Sequence, residues 1–135
     1  MPASLYHLQV NVSEPKRSFP FYKDFLGYLG WAVKSEGEDY LGIGNDTTDL
    51  WLIATEAAYR DKLFHRKNTG LNHLAFRLES REAVDQFHRE FLQAHGIPTL
   101  YNTPKEFPEY GQGYYAVFFE DPDRIKLEVA YVPKP

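Results

Sequence analysis

Leu71-Asn72-His73-Leu74 repeats Leu5-Tyr6-His7-Leu8, with His73 following His7 by 66 residues, and the same offset continues down the chain. Phe21 meets Phe87, Phe25 meets Phe91, Leu26 meets Leu92 and Gly30 meets Gly96, while Lys23 over Arg89 and Asp24 over Glu90 keep the charge. Seven identities in one ungapped register read as two copies of one structural unit. His7 and His73 therefore hold equivalent places in the two copies. Two copies facing each other would bring those histidines together.

Working outward from His7, the residues Leu5, His7, Gln9 and Asn11 alternate with Tyr6, Leu8, Val10 and Val12. That period of two predicts a strand with His7, Gln9 and Asn11 on one face. Phe21, Phe25, Leu26 and Leu29 then recur at helical spacing. Pro20 either starts this helix, with Ser18 as its cap, or kinks it, and Gly30 ends it. Short strands are expected at 31–35, 40–43 and 50–55, with turns at Gly-Glu-Asp and Gly-Asn-Asp-Thr-Thr. After a polar connector, the second unit opens with a strand at 71–78. Its helix is capped by Ser80, carries Ala83, Val84, Phe87, Phe91 and Leu92 on its apolar stripe, and ends at Gly96. Strands follow near 99–102, 114–119 and 125–132. Each unit thus reads β-α-β-β-β, an α+β chain of two tandem modules at about 4–56 and 70–132, joined by a connector at about 57–69, within a single domain spanning 1–135.

Composition narrows the function. With 15 Lys and Arg against 19 Asp and Glu, the net charge is −4, which disfavours a nucleic-acid partner because phosphate binding needs a concentrated basic face. The absence of cysteine excludes disulfides and thiolate chemistry. No apolar run approaches a membrane span and no signal peptide precedes Leu5, so a cytoplasmic protein without membrane contact is expected.

The paired βαβββ units, the histidine near the start of each, and Phe119-Glu120-Asp121-Pro122-Asp123-Arg124-Ile125-Lys126-Leu127-Glu128 together resemble the vicinal oxygen chelate superfamily. That superfamily includes glyoxalase I, extradiol dioxygenases, fosfomycin-resistance enzymes and bleomycin-resistance proteins. Arg124 stands where the family usually has Gly after Asp-Pro-Asp. The resemblance implies two curled mixed sheets around a cleft, a homodimer as the usual state, and one divalent metal held by His7, His73 and Glu128. Such a donor set suits Fe, Mn, Zn or Ni and leaves positions open for substrate oxygens. The two units pair within one chain or across two.

Alignment of the units places Trp51 opposite Glu128 and Asp49 opposite Lys126. Indole cannot ligate a cation, so the four-ligand set and the catalytic base of glyoxalase I are absent. Fosfomycin enzymes share three ligands and a basic residue at Lys126, but not Gln9 or a Ser-rich anion loop. Extradiol dioxygenases share the triad, yet Phe118 replaces their Tyr, with Tyr110, Tyr114 or Tyr115 as substitutes. Alternation gives the cleft Gln9, Asn11, Trp51, Arg77 and Lys126, and the segment Tyr101–Tyr115 is a candidate lid bringing Tyr101 and Tyr115. The expected ligand is a small anionic or enolisable molecule. The reading is a metal-dependent enzyme of lyase/isomerase, transferase or dioxygenase type; the alternative is a metal-independent small-molecule or drug binder.

Overall fold

The computed structural model describes residues 1–134, and it divides into two compact units, one from Met1 to Leu63 and the other from Phe64 onward. In the first, β1 (His7–Val12), α1 (Pro15–Tyr28), β2 (Ala32–Glu36), β3 (Tyr40–Gly44) and β4 (Asp49–Ala54) follow in order. The sheet runs β1-β4-β3-β2, with β1 and β4 parallel and the other neighbours antiparallel. Phe19, Tyr22, Phe25 and Leu26 of α1 are buried, as are Leu41, Ile43, Leu50 and Leu52 on the sheet.

The helix starts five residues earlier than Pro20. Glu14 is its N-cap, accepting from Lys16 N at 3.3 Å, and Pro15 takes the first helical position, where a missing N–H has no consequence. Pro20 lies inside the helix, and Ser18 is a buried helical residue rather than a cap. At the other end Gly30 adopts φ 87° and Trp31 N donates to Leu26 O at 2.9 Å. This six-residue closure needs a left-handed residue, which glycine provides freely.

The second unit repeats the plan. Its elements are β5 (His73–Leu78), α2 (Arg81–Phe87) continuing as a π-helical segment (His88–Gln93), β6 (Thr99–Glu106), β7 (Tyr115–Glu120) and β8 (Lys126–Tyr131). The sheet order is β5-β8-β7-β6, with β5 and β8 parallel. Ser80 caps α2 by accepting from Ala83 N at 3.0 Å. Gly96 at φ 66° and the bond Ile97 N to Leu92 O at 2.8 Å reproduce the first unit's helix closure 66 residues on. Phe87, Phe91, Leu92, Val117, Phe119, Leu127 and Val129 are buried, and Phe87 packs on Phe119 at 5.7 Å.

The stretch expected as a loop from Asn102 to Gly113 begins as strand, and only from Phe107 onward is it irregular, around one 3-10 turn at Pro108–Tyr110. β6 extends to Glu106 around an irregularity between Leu100 and Lys105, where Tyr101 and Asn102 have φ of 59° and 58°. Thr103 replaces the lost ladder: its hydroxyl donates to Leu100 O at 2.7 Å and accepts from Phe118 N at 2.9 Å. Among the described residues no helix is long and apolar enough to cross a membrane.

Candidate metal centre

Strand register sets which side chains meet. In the first unit His7 pairs with Asp49 and Gln9 with Trp51; in the second His73 pairs with Lys126 and Ala75 with Glu128. The superposed registers put Trp51 in the place of Glu128 and Asp49 in that of Lys126, as the alignment of the units anticipates. His7, Gln9 and Asn11 are exposed along β1, and the Trp51 ring lies over Gly42 of β3. Asp49 is buried and holds Lys34 Nζ at 2.5 Å, so its carboxylate is already engaged.

In the second unit Glu128 faces away from α2. It pairs across the sheet with Phe118, whose face also carries Ala116, Ala130 and the ring of Phe107. His73 Nε2 stands 3.0 Å from Glu128 Oε1. The other carboxylate oxygen, Oε2, accepts from the hydroxyl of Tyr114. On the far side of the ring, His73 Nδ1 lies 2.6 Å from Asn72 Oδ1. The Asn72 amide is oriented by its Nδ2, which donates to Arg66 O at 3.5 Å. With Asn72 Oδ1 accepting from Nδ1, a neutral ring would turn an Nε2 lone pair on the carboxylate oxygen, and an imidazolium would donate to it.

Two acceptors at that distance require something positive between or beside them: a second proton on the ring or a cation. Two metal bonds of about 2.0–2.2 Å at a right angle span about 3 Å, so the pair has the spacing of two ligands to one ion. The bond from Nδ1–H to a side-chain oxygen is also the support that metal-binding imidazoles ordinarily receive. Among the described residues no group of three or more His, Cys, Asp or Glu side chains is clustered for an ion.

Aromatic rings wall this pair. Phe118 lies edge-on to His73 at 5.9 Å and to Tyr101 at 5.5 Å; Tyr114 meets Tyr110 at 5.4 Å, and Phe107 stacks on Tyr110 at 5.3 Å. Lys126 Nζ sits 4.8 Å above Tyr101 and 4.9 Å above Phe118, in the range of cation–π attraction. The Lys126 ammonium beside the Tyr101 phenol holds it below its usual range, and Arg66 acts in the same direction. Burial pushes Tyr114 up, with the Glu128 hydrogen bond adding to it. Arg77 is exposed on the same face of β5.

Tyr115 does not belong to this wall. It is buried on the helix side, where its hydroxyl donates to Asp85 Oδ1 at 2.6 Å and the Arg81 guanidinium covers its ring at 4.2 Å. Tyr114 takes the role instead. Strand parity carried this signal, because Tyr114 is four residues from Phe118 and shares its face, whereas Tyr115 cannot. Asn72 and Phe107 had no comparable mark in the sequence.

The sequence pattern of the Glyoxalase/Bleomycin resistance protein/Dioxygenase superfamily matches residues 4–129. The uncharacterized protein YqjT of Bacillus subtilis (strain 168) is 37% identical over 125 residues, covering 93% of this chain and 96% of that protein. A Bacillus halodurans protein provisionally assigned as a glyoxalase has a crystal structure that superposes with a TM-score of 0.86 at 38% identity, covering 95% of each chain. A lactoylglutathione lyase from Agrobacterium tumefaciens superposes at 0.70 with 17% identity, over 96% of this chain and 94% of that one, a likeness of fold.

Proposed function

Because the chain belongs to the Glyoxalase/Bleomycin resistance protein/Dioxygenase superfamily, we propose that it is a divalent-metal enzyme in which His7, His73 and Glu128 hold one Fe, Mn, Zn or Ni ion. A small substrate would bind through two adjacent oxygens. The observation that carries this reading is the His73–Glu128 pair, where an imidazole nitrogen and a buried carboxylate oxygen, both metal-ligating groups, stand 3.0 Å apart with the ring held from behind by Asn72. A bound divalent ion supplies Lewis acidity, stabilising negative charge that develops on substrate oxygens.

The chain's own residues do the rest. Asn72 orients the His73 ring from behind, and Tyr114 holds the Glu128 carboxylate in one orientation. Lys126 and Arg77 offer positive charge to an anionic or enolate oxygen, and the rings of Tyr101 and Phe118 exclude water from one side. Gln9, Asn11 and Trp51 contribute polar and aromatic contacts from the first unit. With Trp51 where Glu128 has its counterpart, that unit supplies no matching carboxylate base, so glyoxalase-type proton transfer is disfavoured. A lyase, isomerase, transferase or dioxygenase reaction is left. The modules at about 4–56 and 70–132 act together, within one chain or as a cytoplasmic homodimer.

The aromatic wall favours a second reading, a metal-independent binder of flat small molecules. Metal content decides between them. Near-stoichiometric metal in protein purified without oxygen, lost in both His73→Ala and Glu128→Ala, supports the enzyme. Failure to bind any divalent ion on titration sinks it and leaves the binder.

A further inference from the structure

The hairpin joining β7 to β8 holds an arginine where a glycine would sit without strain. Arg124 has φ 66°, a left-handed conformation that residues with a Cβ adopt at a disadvantage. The turn imposes it. Asp121 Oδ1 accepts from Asp123 N and Ile125 N at 2.8 Å each, and Arg124 N donates to Asp121 O at 2.9 Å. A strained residue so firmly over-determined is a reason to ask what its side chain does.

It lines a cavity of about 180 Å³ together with Phe64, His65, Arg66 and Lys67. The polar side chains lining that cavity, two arginines, Lys67 and His65, all carry donors, and the Arg66 and Arg124 carbonyl oxygens accept from Asn72 Nδ2 and Arg66 Nη1. Arg66 Nη1 is held by Glu120 Oε2 at 2.6 Å, and Arg124 Nε reaches the same oxygen at 3.4 Å. Glu120 thus aligns both guanidinium groups while compensating one of three positive charges, in a chain whose net charge is −4. His65 Nδ1 accepts from Lys67 N at 3.1 Å, so the neutral ring carries its proton on Nε2 and presents a donor. Pockets that enclose whole ligands run to about 300–1,000 Å³, so this one has room for a group, not a molecule.

We infer that Arg124, Arg66, Lys67 and His65 form an anion subsite that takes a phosphate group. Arginine forks match phosphate oxygens two at a time, and a confined cluster of donors without a free acceptor rejects neutral ligands. The subsite stands apart from the metal reading, since none of its residues belongs to the His73–Glu128 pair. The phosphate is either a free anion or the end of a larger ligand lying toward Tyr101, which Arg66 and Lys126 flank.

The test titrates inorganic phosphate into chelator-treated full-length protein at constant ionic strength, following amide and imidazole signals by NMR. Saturable shifts at His65, Lys67 and Arg124 are expected. Arg124→Gly and Lys67→Ala should each weaken binding about tenfold, the scale of one lost hydrogen bond to a charged group. Arg124→Gly should at the same time raise the thermal midpoint, which shows that the lost affinity is not lost folding. No saturable shift at high millimolar phosphate, or wild-type affinity in Arg124→Gly, overturns the subsite. Phenyl phosphate separates the sources: tighter binding with shifts reaching Tyr101 identifies a ligand's terminal group, and equal binding confined to the pocket identifies the free anion.

Discussion

Replacing Tyr114 by Phe removes one hydroxyl and little else. The ring keeps its contacts with Tyr110 at 5.4 Å and Phe107 at 6.4 Å, so the change isolates the hydrogen bond to Glu128 Oε2. Glu128 is only 2% exposed, which denies water to the abandoned oxygen. A hydrogen bond to a charged group contributes about 1.5–3 kcal/mol, and a buried acceptor left unpaired forfeits that full amount. For a chain of this length the corresponding fall in thermal midpoint is about 5–10 °C. Metal affinity should fall by about 10- to 100-fold, as when other groups that orient a ligand are removed. Calorimetry of the metal-free protein gives the first quantity, and competition against a chelating indicator gives the second. A midpoint and a metal affinity both equal to wild type would refute the claim that Tyr114 orients Glu128. A lowered midpoint with unchanged metal affinity would mean the bond serves folding alone.

Two more outcomes follow from local geometry. A Cβ on Gly42 would fall 2.5 Å from the Trp51 ring, so Gly42→Ala should destabilise by about 1–3 kcal/mol, with a shift in tryptophan emission; urea denaturation followed by fluorescence checks both, and an unchanged midpoint and spectrum would contradict the packing. Because Lys126 lowers the Tyr101 phenol, an absorbance titration should show one tyrosine ionising ahead of the rest, and this early step should vanish in Tyr101→Phe. The sign for stability follows: with a folded pKa below the unfolded value of about 10, Tyr101 adds stability above pH 10 that is lost as pH falls through its lowered pKa. A stability difference from Tyr101→Phe that does not change across that window would remove the Lys126 contact as its cause.

The parts of the architecture that depend on periodicity were legible in the chain. The 66-residue offset carried the succession of elements, helix faces and the two glycine helix closures into both units, because each is set by residues a few positions apart. The equivalence of Trp51 with Glu128 was also legible, since parallel register follows once the repeat is fixed. Three features were not. Pro20 left open a helix start or a kinked helix running through it, and only the start formed by Glu14 and Pro15 places Pro20 inside the helix. Asn102 and Pro104 mark a loop by composition, while Thr103 bridges Leu100 and Phe118 and keeps the strand going through an irregularity. The support behind His73 depends on Asn72, an adjacent residue whose amide is oriented by Arg66, and no local pattern announces that contact.

The pairing of β5 with β8 has a consequence for how this protein is made. His73 lies on the strand that opens its unit and Glu128 on the one that closes it, and the two strands are hydrogen-bonded neighbours in parallel register. Parallel pairing across so long a stretch of chain is slow and comes late, after the intervening loop entropy has been overcome. On the ribosome, His73 therefore emerges well before its partner, and the nascent chain lacks the Glu128 carboxylate beside that imidazole until β8 has left the exit tunnel and docked. A chain stalled or cleaved before Lys126 would keep both histidines and the whole of α2, yet could not assemble the pair. The ion capture proposed for this pair would in this way be reserved for chains that have been completed.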